Sequence, residues 1–305
     1  MSDMTSEPDR SPTTPARVGV IVASTGRPEE LQQLLSALDR QSFRPSRILL
    51  SLHSAADAPA SVAPDVEVVY GPKGASAQRN RGLDELENKV DFIAFLDDDY
   101  LPASRMLSGA LAVFEAWPDV VGCNGRLLAD GIHSRGVPYE EAIALLERHE
   151  RQGREEVNIC DELDGMYGCN MVFRSAAIQG TRFDENLPLY SWQEDVDFAA
   201  RLKSRGRLIR TDAFAGVHRG VKRARGSGVR FGYSQVVNPI YLARKRTMGW
   251  PYARKLIRNN FAANLARAFF PEPWVDRRGR LVGNMLGFFD VMLRRDDPRR
   301  ILQLS

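Results

Sequence analysis

Short runs of apolar residues, separated by segments rich in glycine, proline and charge, recur along the first two thirds of the chain. Short apolar runs bounded by turn residues are typical of buried strands. The predicted strands cover residues 18–23, 48–52, 66–70, 92–96, 120–128, 208–211 and 214–217. A stretch punctuated by glycine, 165–173, enters a further strand, and glycine there permits close approach of the backbone to a ligand.

Between these runs the apolar residues recur with helical spacing. One helix begins at Pro28, which suits a first helical turn, and its apolar face is made by Leu31, Leu34, Leu35 and Leu38. Further helices are predicted at 103–117, 139–151, 192–202, 233–248, 251–270 and 281–295. Strand, helix and strand joined by short links pair in parallel with a right-handed crossover. The pattern therefore predicts an α/β fold with a mostly parallel central sheet flanked by helices, and a helical C-terminal extension.

Composition divides the chain into three regions. Residues 1–16 are rich in Ser, Thr, Pro and Asp, so we expect a disordered N-terminal tail. Residues 17–220 carry the alternating strands and helices of one domain. Residues 221–305 hold a basic loop and the helical extension.

Three carboxylates, Asp97, Asp98 and Asp99, directly follow the predicted strand at 92–96. Adjacent acids in a packed protein repel one another unless a cation or hydrogen-bond donors neutralise them. Ligands of α/β sheets bind at the carboxyl ends of strands. Carboxylate oxygens on alternate residues suit Mg²⁺ or Mn²⁺, which usually also hold substrate phosphates. The alternative is a solvated acidic turn.

Other candidate groups have both a functional and a structural interpretation. A glycine-rich turn at 71–74 runs into a helix that carries Arg79, an arrangement that favours anions but also fits a capped surface helix. Glu194 and Asp195 open another helix, where the helix dipole alone favours acids. His218 follows a strand, and a lone histidine is more often structural than a ligand.

Composition narrows the classes of function. With 43% apolar residues, 27% charged residues and a net charge of +3, the chain is typical of globular proteins and not of nucleic-acid binders. Its cysteines, Cys123, Cys160 and Cys169, lack metal-ligand spacing and indicate reduced thiols. No apolar run approaches the length of a membrane span and no signal peptide opens the chain, so we expect a cytoplasmic protein.

Taken in order, these stretches resemble the inverting family 2 glycosyltransferases of the GT-A fold. The resemblance covers about residues 17–220, which it identifies as a GT-A catalytic domain. It rests on several motifs in the family's order: the turn at 24–28, the segment 78–82, the acids 97–99, the stretch 165–173 and the pair 194–195. The helical extension is similar, more loosely, to the tails of bacterial polysaccharide-assembly members.

The resemblance implies a role for each matching residue. Asp195 matches the catalytic base, with Glu194 and Trp192 beside it in the acceptor site. The implied ligands of a divalent cation, Mn²⁺ or Mg²⁺, are Asp97, Asp99 and His218, with Asp99 the more direct one. The remaining matches are residues expected to contact the nucleotide sugar, namely Ala23, Ser24, Arg27, Arg79, Asp97 and Asp98.

The activity implied is metal-dependent transfer of one sugar from a nucleotide-diphosphate sugar to a hydroxyl of a saccharide or lipid-linked acceptor, in cell-surface polysaccharide synthesis. Two departures from the family pattern bear on specificity. The stretch 50–54 lacks the family's nucleobase-contacting Asp, so the resemblance does not imply uracil recognition. The Gln-x-x-Arg-Trp motif of processive members is also absent, which favours addition of a single sugar.

The segment 219–230 alternates Arg, Lys and Gly, a density of like charge that opposes compaction. We expect a mobile loop that closes over the diphosphate when the donor binds, with Arg223 and Arg225 as phosphate contacts. The alternative is a solvated basic loop without a role.

Three other functions are considered. A sugar-1-phosphate nucleotidyltransferase shares the nucleotide-binding half of such a sheet, but it would want a glycine-rich loop with a basic residue early in the chain. A glycosidase also uses two carboxylates, yet it does not need the basic nucleotide-site residues. A non-catalytic carbohydrate-binding or scaffold protein could retain the fold.

The helical extension mixes basic and bulky apolar residues, as at Phe288 to Arg295. This mixture suits a helix lying on an anionic membrane surface, here the inner face of the membrane, where a lipid-linked acceptor would be met. Helix packing, or a homodimer formed through the C-terminal helices, is the alternative.

Overall fold

The structure is a computed structural model that describes residues 15–153, 155–222 and 226–304. The predicted disordered tail, residues 1–16, lies outside the described residues except for its last two positions. Over the described ranges, strands and helices form a central sheet with helices on its faces, so the predicted α/β fold is confirmed.

The first half of the sheet is parallel, as the alternation of strands and helices predicts. Its strands stand in the order β3, β2, β1, β4, and their bounds are Val18–Ser24 (β1), Arg47–Leu52 (β2), Val66–Tyr70 (β3) and Phe92–Asp97 (β4). Helix α1 (Pro28–Asp39) links β1 to β2, and helix α2 (Ala75–Leu86) links β3 to β4. Because these strands run the same way, the turn after β1 and the acids after β4 lie at one edge of the sheet.

The second half contains antiparallel pairs, so the sheet as a whole is mixed. Its strands are Tyr100–Pro102 (β5), Val120–Asp130 (β6), Asp161–Glu162 (β7), Asn170–Arg174 (β8) and Arg207–His218 (β9). Strand β8 lies antiparallel between β4 and β6, whereas β9 is parallel to β6 and antiparallel to β5 and β7. The direction of β8 follows from its entry: Asn170 pairs with Leu96, so the chain enters this strand at the edge that carries the acids and runs away from it.

Strand β9 replaces the two short strands predicted in its place. Its register with β6 shifts at three points, and at the largest shift Arg210 pairs with Asn124 whereas Ala215 pairs with Arg126. In between, Thr211 Oγ1 donates to the carbonyl of Asn158 at 2.7 Å. The polar residues that separate the two apolar runs are therefore a bulge within one strand, and not a turn between two.

Helices cover both faces of the sheet. Helix α1 and helix α3 (Met106–Ala116) pack on one face, while α2 and helix α6 (Glu194–Leu202) pack on the other. The alternation of side chains along a strand divides the core accordingly, since Val20 and Val22 of β1 face the first layer and Ile21 faces the second. The remaining helices of this part are α4 (Tyr139–Gln152) and the short α5 (Ser175–Ile178).

Three long helices follow the sheet, close to the predicted positions: Gly228–Lys245 (α7), Trp250–Arg267 (α8) and Arg277–Met292 (α9). Helices α7 and α9 meet backbone to backbone at Gly232 and Gly283. A Cβ at Gly232 would lie 2.0 Å from the carbonyl oxygen of Arg280, and one at Gly283 would lie 2.0 Å from that of Val229. Within the described ranges, no helix is both long and apolar enough to cross a membrane.

Candidate active site

The acids that follow β4 have separate partners. Asp98 is buried and accepts hydrogen bonds from Ser24 Oγ at 2.7 Å and from Arg27 at 2.8 Å. Asp99 is also buried, and it accepts from Arg27 at 3.2 Å and from the backbone N–H of Val221 at 2.7 Å. A solvated acidic turn is therefore excluded, since one guanidinium and two further donors neutralise two desolvated carboxylates.

The surroundings give these two carboxylates different pKa values. Burial raises the pKa of Asp98 to about 6, with the charge of Arg27 opposing the shift. Burial acts in the same direction on Asp99, but the hydrogen bond and charge of His218, together with Arg27, outweigh it and lower the pKa of that carboxyl. When the pH falls below neutral, Asp98 is therefore protonated first, whereas Asp99 stays ionised.

The residues implied as metal ligands come together. Asp97, Asp99 and His218 each offer one potential ligand atom, and these three atoms lie within 4.8 Å of one another. The His218 ring is oriented from behind, because its Nδ1 lies 2.8 Å from Asp130 Oδ1 and 3.1 Å from the Tyr167 hydroxyl, which leaves Nε2 facing Asp99 at 3.4 Å. Two carboxylates and an imidazole held by an outer carboxylate fit a divalent cation such as Mn²⁺.

Two residues to which the sequence analysis gave no role, Gln78 and Asp57, hold the turn after β1 by hydrogen bonds. Gln78 Nε2 donates to the carbonyls of Ser24 at 2.8 Å and Ser51 at 2.6 Å, which ties the ends of β1 and β2 together. Asp57 Oδ1 accepts from the backbone N–H of Gly26 at 2.6 Å. The turn after β1 is thus held by hydrogen bonds to helix α2 and to the segment after β2.

Arg79 links the two acidic parts of the site. It is buried, donates to Asp97 Oδ1 at 2.9 Å and to the Gly168 carbonyl at 3.3 Å, and forms an ion pair with Glu194. Burial lowers the pKa of Arg79, but the charges of the surrounding acids outweigh it, so the guanidinium stays charged. The contact of Arg79 with a nucleotide stays a prediction; in this structure its charge is shared between the acids.

Glu194 and Asp195 open helix α6. Asp195 Oδ2 accepts from the backbone N–H of Gly168 at 2.8 Å, and its Oδ1 accepts from that of Val196 at 2.8 Å. Burial and the charge of Asp195 raise the pKa of Glu194 to about 8 against the charge of Arg79, and burial also raises the pKa of Asp195. These acids interact with the helix N-terminus, as the structural interpretation expects, but they also face the cavity described below.

The backbone just before these acids is strained. Leu189, Ser191 and Gln193 have φ angles of 60°, 54° and 76°, and non-glycine residues held in this region cost on the order of 1–3 kcal/mol each. Trp192, the predicted acceptor contact, lies between two of them, and its ring centroid is 5.9 Å from that of Phe231 on α7. The helical extension thus supports the loop that precedes the acids.

One large cavity of about 2520 Å³ connects these groups. Predicted site residues at the sheet edge line it, namely Ala23, Ser24, Arg27, Arg79, Asp97, Asp98 and His218, and so do Trp192, Glu194 and Asp195 from helix α6 and the loop before it. The opposite wall comes from the helical extension and the loop before α6 and is rich in aromatic rings, those of Tyr190, Phe231, Trp250, Tyr252 and Trp274. Sites for one small ligand usually measure about 300–1,000 Å³, so this cavity has room for more than one substrate.

The described ends of the basic segment 219–230 contact the rest of the chain or enter helix α7, and closure of the segment over a bound donor stays a prediction. Arg219 is buried and donates to the Val137 carbonyl at 3.2 Å, and Lys222 donates to the Gly131 carbonyl at 2.8 Å. These contacts were hidden from the sequence because the partners lie far away along the chain. The predicted phosphate contacts lie outside the described residues: Arg223 and Arg225.

Comparison with known families defines the class of protein. The family described as Glycosyl transferase family 2 matches residues 20–181, more than half of the chain. The chain therefore belongs to glycosyl transferase family 2 and is a glycosyltransferase, which confirms the resemblance drawn from the motifs. A search of curated proteins by sequence gave no significant match.

Solved structures share the fold at low identity. The mannosyltransferase PcManGT from Pyrobaculum calidifontis, in complex with GDP-Man and Mn²⁺, is 17% identical with a TM-score of 0.55 over 95% of this chain and 86% of that chain. S. aureus TarS 1–349 in complex with UDP-GlcNAc is 13% identical with a TM-score of 0.52 over 93% and 89%. GalNAc-T7 with UDP, GalNAc and Mn²⁺ is 11% identical with a TM-score of 0.53 over 95% and 56%. The chain spans 40% of the length of a longer TarS chain. These similarities establish the GT-A fold.

Proposed function

We propose that this glycosyltransferase moves a single sugar, with inversion, from a nucleotide-diphosphate sugar to a hydroxyl of a saccharide or lipid-linked saccharide, and that it needs a divalent cation. One observation carries the proposal: Asp97 and His218, which cluster with the buried Asp99, line the same cavity as the helix-opening acid Asp195, and Arg79 pairs with Asp97. A metal-and-diphosphate site beside a second carboxylate is what inverting transfer requires.

The leaving group acquires negative charge as the glycosidic bond to the diphosphate breaks. Asp97, Asp99 and His218 would hold the divalent cation, whose chemistry there is to neutralise that charge. Arg27 stabilises the site from the other side, since its guanidinium binds both Asp98 and Asp99 and keeps these carboxylates in place. Mn²⁺ and Mg²⁺ both suit the oxygen ligands, and the imidazole favours Mn²⁺.

The acceptor hydroxyl must lose a proton as it attacks the anomeric carbon. Asp195 is the proposed base, because both of its oxygens are oriented by backbone N–H groups and its raised pKa makes it a better proton acceptor than an ordinary aspartate. Arg79 connects the two groups of acids, because it pairs with Glu194, next to Asp195, and with Asp97. A single base and direct displacement give inversion at the anomeric carbon.

The two substrates would contact different walls of the cavity. The turn after β1 and the acids after β4 take the nucleotide side, with Ala23 and Ser24 in that wall. The acceptor would lie against the aromatic wall near Trp192, since sugar rings present apolar faces that stack on aromatic side chains. A role in cell-surface polysaccharide synthesis, on the cytoplasmic side, is part of the proposal.

A panel of nucleotide sugars tests donor binding and identifies the nucleobase that the protein prefers. The TarS structure is a complex with UDP-GlcNAc and the PcManGT structure is a complex with GDP-Man, so UDP-, GDP- and dTDP-sugars are added with Mn²⁺ or with excess chelator. The melting temperature is recorded for each. A ligand that binds only the folded state raises that temperature. One donor class should stabilise the protein in the presence of Mn²⁺, whereas no stabilisation by any of them would contradict the proposal. Release of nucleoside diphosphate, and not pyrophosphate, separates the transferase from a nucleotidyltransferase.

A further inference from the structure

The outer face of the hairpin formed by α8 and α9 exposes an unusual amount of apolar surface. On α9, Val282, Met285, Phe289 and Met292 recur at helical spacing, so they form one stripe, and each is exposed. The loop at the tip of the hairpin adds two phenylalanines. Phe269 is 72% exposed and Phe270 is 86% exposed, and Met292 at the other end of the stripe is 72% exposed.

The opposite face of this hairpin is already used, so the stripe is not simply a poorly packed core. Asn264 of α8 is fully buried and donates to Gln235 of α7 and Asn284 of α9, each at 2.8 Å. Gly283 of α9 lies in backbone contact with α7. The exposed stripe therefore points away from the rest of the molecule, where contiguous apolar residues mark an interaction surface.

Basic side chains are abundant in the segment that carries this surface. Between residues 249 and 295 there are nine Lys and Arg against three Asp and Glu, and all three acids have internal partners: Glu272 pairs with Arg267 and Arg277, Asp276 caps α9, and Asp290 is buried. Several exposed basic residues make no salt bridge with any described residue, namely Lys255, Arg258, Arg278, Arg294 and Arg295.

We propose that this face, defined as Leu265, Phe269, Phe270, Val282, Met285, Phe289, Met292 and Leu293 with its basic rim, docks the enzyme on an anionic lipid bilayer. Long apolar side chains ringed by unpaired cations match the boundary between acyl chains and acidic headgroups. A second copy of the chain is disfavoured as the occupant, because a two-fold contact would place this basic rim against itself. With no membrane-spanning helix among the described residues, the docking is peripheral.

The proposed docking surface lies next to the large cavity. The loop that carries Phe269 and Phe270 on the outside also carries Trp274, which lines the large cavity. The mouth of the cavity beside this loop would therefore lie near the bilayer. A saccharide held by a lipid in that bilayer could enter the acceptor side of the cavity without leaving the membrane; this consequence, unlike the docking itself, rests on the proposed function.

Vesicle flotation of the purified full chain tests the proposal without any catalytic assay. Vesicles of phosphatidylcholine alone are compared with vesicles that contain about one-third phosphatidylglycerol, at low and high salt. We expect binding to the anionic vesicles at low salt and little binding to neutral ones. Phe269→Ser with Phe270→Ser should weaken the binding at least about tenfold, and Arg294→Gln with Arg295→Gln should weaken it about tenfold and reduce its salt dependence.

Matched controls remove equivalent groups elsewhere. Tyr70→Ser with Val157→Ser removes two exposed apolar side chains, and Arg148→Gln with Arg151→Gln removes two exposed charges from α4. These variants should bind vesicles like the wild type. The proposal is overturned if the wild type fails to bind anionic vesicles at low salt, or if the controls lose as much binding. It is equally overturned if the phenylalanine variant converts a dimer to a monomer by light scattering while vesicle binding is unchanged.

Discussion

Asp195 illustrates how the structure adds to what the sequence implies about a residue. Acids at the start of a helix are favoured by the helix dipole, and the sequence left that interpretation open. In the structure its carboxylate is oriented by two backbone N–H groups, from Gly168 and Val196, and faces the cavity shared with the acids of β4. An oriented, desolvated carboxylate is suited to accept a proton from a bound hydroxyl.

Replacement of this group gives a direct prediction. Asp195→Asn should reduce turnover by roughly 10²–10⁴-fold, because an amide cannot act as the base, while the dissociation constant of the donor changes little. Steady-state kinetics and donor titration measure the two quantities. Asp164→Asn is the control, since Asp164 lines the same cavity with a fully solvated carboxylate. A loss of donor affinity in place of turnover would show that the role is wrongly assigned.

The pH dependence of the reaction follows from the same group. Burial and neighbouring charge raise the pKa of Glu194 to about 8, and burial raises the pKa of Asp195. A base works only when it is deprotonated, so kcat/KM should rise with pH through a midpoint above the ordinary aspartate value of about 3.9. Initial rates across a range of buffers measure this midpoint. A profile that is flat down to the ordinary carboxylate range would exclude a buried carboxylate as the base.

Several residues of the site could not be found from the sequence. Asp130 and Tyr167 orient His218, and Gln78 ties two strands together, but these contacts join residues far apart in the chain. Only Asp57 carries a local signal, because Ser54 and Asp57 have capping-box spacing. Local patterns located the groups that define the chemistry, whereas the residues that position them are set by tertiary contacts.

At the scale of elements, the predicted strands and helices recur with small changes of bounds, because each apolar run is short and well delimited. The strand pairing in the second half of the sheet was harder to predict from the sequence. Whether a strand such as β8 runs parallel or antiparallel depends on where the chain enters the sheet, and that is decided by long-range packing. The bulge in β9 was interpreted as two strands for the same reason, since its polar residues are satisfied by a distant loop.

The contact of α7 with α9 depends on glycine. Gly283→Ala should lower the free energy of unfolding by about 1–3 kcal/mol, because a methyl group there overlaps the backbone of α7 and the helices must separate. Denaturant unfolding measures the change. Gly226→Ala is the matched control, since a Cβ at Gly226 meets nothing within 4 Å. Equal stability of the two variants would show that the helices do not pack as described.

At the scale of the whole molecule, the sheet edge supplies the charged groups and the helical extension supplies the aromatic wall of one cavity. The sequence predicted the charged sheet edge and a helical extension, but not that the extension lines the site. Their meeting depends on Phe231, whose ring contacts Tyr190 and Trp192 before α6 and lies under Arg280 of α9. The extension is thus part of the site, and its removal should abolish acceptor use.

The central claim is that the acids after β4 and His218 bind a divalent cation that the nucleotide sugar needs. Calorimetric titration of the stabilising donor into the wild type and into Asp99→Asn, each with Mn²⁺ and with excess chelator, tests it most directly. Donor affinity in the wild type should fall at least about tenfold when Mn²⁺ is chelated, because on this account a carboxylate-bound cation would hold the diphosphate. Asp99→Asn should bind the donor weakly in both conditions while keeping its melting temperature without donor within a few degrees. Donor binding that is equally tight with chelator, or in Asp99→Asn, would contradict the account.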